Sequence, residues 1–173
     1  KCPFDAKRIE KSFQKIIKKL QEEKALLEQE LLAKLQEWDA ATLEIVSSVK
    51  GIGKRAAAEL LIYTQGFKGM TSYKQLISYA GLSPTEYSSG SSIRGRVRIC
   101  KQGGKQLRNI LYMCALNAKK TNAQCRSLFD RLVANGKNKK AAVIAVCNKL
   151  LKLVFGVVKN RTMYQDNFQQ ETA

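Results

Sequence analysis

Ser88-Ser89-Gly90-Ser91-Ser92 is followed closely by Arg94, Arg96 and Arg98. A serine hydroxyl is a weak nucleophile unless a base or a metal activates it. Here three guanidinium groups could hold a phosphate and stabilise negative charge developing on it. No base accompanies them. The 173 residues contain no His, which excludes a Ser–His triad, a Cys–His dyad and any His-containing zinc site within the chain. After Glu44 the only acids are Glu59, Glu86, Asp130, Asp166 and Glu171, too scattered for a paired-carboxylate metal site. From the residues alone a flexible serine-rich loop is the simpler reading, and nucleophilic chemistry the sharper one.

A second constellation lies upstream, in Val49-Lys50-Gly51-Ile52-Gly53-Lys54-Arg55-Ala56-Ala57-Ala58. It looks like a helix-hairpin-helix motif: an apolar residue, Gly-apolar-Gly, then a helix opening on alanines. Two glycines permit a tight hairpin with exposed N–H groups. The helix that follows presents its N-terminus to an anion. Lys50, Lys54 and Arg55 flank that terminus, and Ile52 can plug the gap between the helices. Such a hairpin grips phosphates without reading bases. The bland alternative is an ordinary turn between helices with a glycine cap. No Walker loop is present, because Gly51-Ile52-Gly53-Lys54 lacks the spacing and the upstream glycine.

Both constellations sit in strongly basic chain. Residues 1–44 hold nine Lys or Arg and nine Asp or Glu; the remainder holds 22 and 5, so all of the net +17 lies there. Between Ser88 and Lys140 there are 13 basic residues and one acid, Asp130. Nucleic acid is the first partner such a run implies, through counterion release at phosphates. An anionic membrane surface is the second, and a merely solvated face the bland third. No apolar run reaches the roughly 20 residues of a membrane span, and the charged start shows no signal peptide. Lys1 stands where Met would open a complete chain, so a piece of a longer protein is expected. Five cysteines without a CxxC pair read as thiols of a reducing cytoplasm, Cys114 and Cys147 as core residues.

The elements that must position these residues read as mainly α: a long N-terminal coiled-coil-like helix, then a compact helical domain with a helix-hairpin-helix and a short β-ribbon. The domains expected are 1–44 for the helix, 45–160 for the helical domain and 161–173 for a polar tail. Ile9, Phe13, Ile16, Leu20, Leu27, Leu31, Leu35 and Trp38 follow helical spacing, with charges on either side. Roughly forty helical residues span about 60 Å, longer than a small core can cover. Arg94, Arg96 and Arg98 alternate with Gly95, Val97 and Ile99, the period of a strand with arginines on one face. Further helices are expected over 73–80, 105–119, 122–134 and 139–159, the last most apolar and buried. The basic residues placed on nucleic acid are Lys50, Lys54, Arg55, Arg94, Arg96, Arg98, Lys101, Lys105 and Arg108, with Gly51 and Gly53 in the hairpin.

Taken in order, Val49-x-Gly-Ile-Gly53, Phe67 to Tyr73, Tyr79-Ala-Gly-Leu-Ser-Pro84, Ser89-Gly-Ser-Ser-x-Arg-Gly95, Lys101-x-Gly103 and Leu107-Arg108-x-x-Leu111-Tyr112 form a specific set. The set resembles the C-terminal half of the insertion-sequence transposases of the "one hundred and ten" family. These are also called DEDD transposases or bridge-RNA-guided recombinases, and the Piv invertases are relatives. The likeness runs through Asp130-Arg-Leu-x-Ala-x-Gly-Lys137 and covers about residues 45–160, with a coiled-coil segment before it. The resemblance implies a transposase that binds DNA and a guide RNA. It implies a serine that attacks DNA to give a covalent phosphoserine intermediate, and the matching residue is Ser89. It also implies a separate RuvC-like domain, absent from this chain, whose four acids bind Mg²⁺ and activate the serine. On that reading no metal is held here, the first helix drives assembly into a homo-oligomer, and the fragment is inactive alone. Two other readings stand beside it: a non-catalytic helix-hairpin-helix nucleic-acid-binding module, and a coiled-coil assembly domain whose charge only aids solubility.

Overall fold

The computed structural model describes residues 6–85, 88–89, 93–94 and 98–166. It is mainly α, as expected, with six helices and two very short antiparallel strand pairs among those residues. The chain divides into two compact units, Lys1–Trp38 and Asp39–Ala173.

Helix α1, Ala6–Ser47, runs through both but is interrupted at Asp39, where φ is −160° and ψ 72°. The Asp39 carboxylate accepts from the Thr42 N–H at 3.0 Å, so it caps a fresh helical stretch rather than continuing the old one. Within the first unit the helix carries exposed pairs Lys18–Glu22, Lys24–Glu28 and Lys34–Glu37. Each contributes little in water. Ile9, Phe13, Ile16, Leu20, Leu27, Leu31 and Trp38 are exposed, and so are Ile17 and Leu26. Leu35 is the member of the predicted stripe that is buried.

The second unit is built around α6, Lys139–Asn160, which packs on α3 (Tyr73–Tyr79), α4 (Lys105–Thr121) and α5 (Ala123–Ala134), while α2 (Lys54–Thr64) packs on α4. Its buried stripe of Val143, Val146, Cys147, Leu150, Leu151 and Val154 follows the three-and-four spacing that makes one helical face apolar. By length and apolarity alone α6 could cross a membrane, but its buried share serves this core. Cys114, Cys125 and Cys147 are buried where α4, α5 and α6 meet. Burial pushes their thiols up to about 11, 11 and 12, so they stay protonated and act as small apolar residues.

The expected ribbon is present. Strand β1, Pro84–Thr85, pairs with β4, Arg98–Ile99; β2, Ser88–Ser89, pairs with β3, Ile93–Arg94. The opposed residues are Thr85 with Arg98, and Ser88 with Arg94. From Thr85 to Ser88 is three steps, from Arg94 to Arg98 four, so the ladders differ in register by one residue. Whether Arg94, Arg96 and Arg98 share one face turns on residues 95–97, which lie outside the described residues. Gly90, Ser91, Ser92, Gly95 and Arg96 lie outside the described residues.

Candidate nucleic-acid interface

The hairpin forms as its residues require. Ile52 N–H donates to the Val49 carbonyl at 2.9 Å, closing a turn, and both side chains are buried. Gly51 has φ +106°, and a Cβ there would come 2.5 Å from the Ala118 Cβ. Glycine is needed twice over, for the backbone angle and for the close approach of α4. Around Gly53, by contrast, a Cβ would meet nothing within 4 Å. Gly53 caps α2 without any side-chain bond, and no acid lies in the first turn. Its leading N–H groups have no side-chain cap and lie at the positive end of the helix dipole. Helix α4 starts the same way at Gly104. Helices α3, α5 and α6 differ, each capped by a side chain: Ser72, Asn122 and Asn138.

The hairpin cations are not equivalent. Lys54 is exposed. Arg55 pairs with Glu59 at 3.2 Å within α2. Lys50 pairs with Asp166, and this bond holds the Asp166 carboxyl below its usual range. Asp166 arrives by a route the sequence did not disclose. Asn122, fully buried, accepts from Cys125 N–H at 3.1 Å as the cap of α5 and donates to the Tyr164 hydroxyl at 2.9 Å. Tyr164 N–H donates to Ser48 Oγ at 2.9 Å, and Gln124 donates to the Asp166 carbonyl at 3.2 Å. Burial raises the Tyr164 phenol to about 12. So the start of the segment read as a polar tail, 161–166, is laced onto the hairpin.

The next motifs form one joint. Gly81, with φ +67°, and Gly103 approach so closely that a Cβ on Gly103 would run into the Tyr79 carbonyl and the Gly81 nitrogen. Arg108 donates to the Ala80 and Gly103 carbonyls and sits half-buried, so its guanidinium rivets this joint. Lys101 and Lys105 stand exposed beside it.

The fold brings two parts of the predicted set to a place that spacing could not reveal. Arg98 and Lys101 line a groove of about 640 Å³ together with Lys137, from the turn before α6, and Lys140, from its first turn. The turn 136–140 was legible as basic, but its adjacency to the ribbon's base is a tertiary fact. None of the lining residues is acidic. Ser89, opposite Ile93, is the last residue of its strand, and Arg94 stands opposite Ser88. Arg96 is outside the described residues. Among the described residues no three His, Cys, Asp or Glu side chains gather where they could hold a metal ion.

Residues 43–130, just over half the chain, match the family described as Transposase IS116/IS110/IS902. The chain is 30% identical over 121 residues to an insertion element IS110 43.6 kDa protein of Streptomyces coelicolor, covering 70% of this chain and 30% of that one. It is 31% identical over 127 residues to the pilin gene-inverting protein of Moraxella lacunata, covering 73% and 39%. An insertion element IS900 42 kDa protein of Mycobacterium paratuberculosis is 29% identical over 70% of this chain and 30% of its own length. The chain thus spans roughly a third of the length of these relatives. The matched stretch holds the hairpin, the glycine joint, the ribbon and α4. On that match the chain belongs to the IS116/IS110/IS902 transposase family.

Proposed function

We propose that this chain is the nucleic-acid-gripping and nucleophile-bearing part of a DNA recombinase. The basic unit holds DNA and a guide RNA by their phosphates. Ser89 Oγ attacks a DNA phosphate; its bond to phosphorus forms as the bond to the departing deoxyribose oxygen breaks, leaving a phosphoserine. The observation that carries this reading is the placing of Ser89 at the end of a strand in a ribbon whose ladders also hold Arg94 and Arg98, within the stretch matched to a transposase family. Arginines near the reacting phosphate would stabilise the negative charge that develops on it. The family resemblance puts the base that takes the Ser89 proton in a separate acid-bearing part of the protein, and on this reading the chain by itself is inactive.

The helix-hairpin-helix reading of 45–63 is supported by the start of α2 without a side-chain cap, the open space over Gly53 and exposed Lys54. Assembly into a homo-oligomer is supported by the exposed apolar stripe along Ala6–Trp38, which a second copy would cover. The relative named as gene-inverting supports DNA as the substrate.

The test is a covalent adduct. The chain joined to the acid-bearing part of its protein is mixed with Mg²⁺, element-encoded RNA and labelled donor and target DNA, then denatured. An adduct abolished by Ser89→Ala and kept by Ser88→Ala is expected. An adduct that survives Ser89→Ala moves the nucleophile elsewhere. No adduct despite demonstrated assembly on RNA and DNA leaves the rival reading, a binding module without chemistry.

A further inference from the structure

The groove at the base of the ribbon has two chemistries in one place. Its rim carries Arg98, Lys101, Lys137 and Lys140, and its floor is aliphatic, from Leu82, Pro84, Ile99, Ala141, Ile144 and Ala145. Among the described residues none of the four cations has an acidic partner, whereas Lys50 and Arg55 of the hairpin both do. One polar group meets the floor. Asn148 donates its amide to the Leu82 carbonyl at 3.5 Å, and its own carbonyl oxygen is buried without a partner. A buried acceptor left unpaired is costly, so a ligand that brings a donor gains there.

A duplex does not use such a site well. Its phosphates would reach the rim, but its bases are stacked inward and nothing apolar would settle on the floor. An unpaired strand presents phosphates and base faces together, and a base face is sequence-tolerant. A volume of about 640 Å³ suits a small-molecule-sized guest, on the order of one or two nucleotides. The sugar decides between strands. Among the lining side chains only Asn148 offers an acceptor, so a ribose 2′-hydroxyl buried among the others finds no side-chain partner, a cost deoxyribose avoids. We infer that this groove seats unpaired, single-stranded DNA, with phosphates on Arg98, Lys101, Lys137 and Lys140, a base on the Ile99–Ile144 floor and a base N–H on Asn148 Oδ1. The inference rests on the nucleic-acid reading above and adds a second site to it, separate from the hairpin. Strand exchange must expose unpaired DNA, and a groove beside the ribbon that bears Ser89 is where it would be held.

The experiment uses the chain as it is, with fluorescent oligothymidylate, the matching duplex and oligouridylate as probes. Ile144→Asn should weaken oligothymidylate binding about five-fold or more and leave the duplex within about two-fold. Lys137→Gln with Lys140→Gln should weaken both probes and lower the salt slope by about 1.8 for the duplex and about 1.4 for the single strand. Oligouridylate should bind more weakly than oligothymidylate. Because Ile144→Asn touches a half-buried position, the unaltered chain is also crosslinked to 4-thiothymidine-substituted oligothymidylate; the expected adducts fall within 141–145. Crosslinks confined to the hairpin, equal losses on single strand and duplex, or equal affinity for oligouridylate would each overturn the inference. Crosslinks confined to the hairpin would also leave the groove to an acidic protein partner. Salt-dependent duplex binding that persists through such a result keeps the function proposed above. Its absence from the unaltered chain defeats both.

Discussion

Gly51 shows how much one residue settles. Its φ of +106° strains any L side chain, and the 2.5 Å between an added Cβ and Ala118 forces α4 away from the hairpin. Gly51→Ala should therefore destabilise the second unit by about 2–4 kcal/mol, combining backbone strain with overpacking. The urea midpoint measures it, and a loss under about 0.5 kcal/mol would refute the close packing. The need for a positive φ was legible from Gly-Ile-Gly; the contact with Ala118, sixty-seven positions later, was not. Arg108 teaches the same lesson in reverse. Its charge placed it among nucleic-acid contacts, but its partners are two backbone carbonyls of the glycine joint. Charge is visible in a sequence, whereas a carbonyl's need for a donor is created by folding. Asn122 gave no sign beyond a capping residue type, yet its burial links the hairpin, α5 and the tail.

Among elements, helical periodicity carried most of the fold. The helices expected over 73–80, 105–119, 122–134 and 139–159 appear as α3 to α6 with only small shifts at their ends. The break at Asp39 was hidden, because no glycine or proline marks it and the capping aspartate sits within an unbroken apolar rhythm. The ribbon was legible from alternation, but its register offset belongs to pairing between strands. Where α4, α5 and α6 meet, three buried thiols give the packing a pH signature. Their folded values of about 11, 11 and 12 exceed the ordinary 9.0. A raised folded value favours the protonated form, so the stabilisation is complete below the unfolded value and lost as pH climbs through the folded ones. Tyr164, raised to about 12 from 10.0, acts in the same direction. The urea midpoint should hold from about pH 7 to pH 8 and fall by about pH 10, with a smaller fall in Cys147→Ala. An alkaline midpoint as high as the neutral one would place these thiols in water.

Over the whole molecule, charge divides where function is proposed to divide. The acids balance the bases in residues 1–44, and the excess of +17 lies beyond. That asymmetry was fully legible. What was not is the gathering of Arg98, Lys101, Lys137 and Lys140 around one groove, since it depends on α6 lying beside the ribbon's base. Those four cations and Lys54 have no acidic partner among the described residues and are the five phosphate contacts expected of this surface. The most direct test of the central claim, that this unit is a nucleic-acid interface, is the affinity for duplex DNA across a salt series. Five phosphate contacts predict that log K falls with log salt at a slope of about −4 to −5. A slope near zero, with the chain folded throughout, would contradict the account and reduce the charge to a solvated surface.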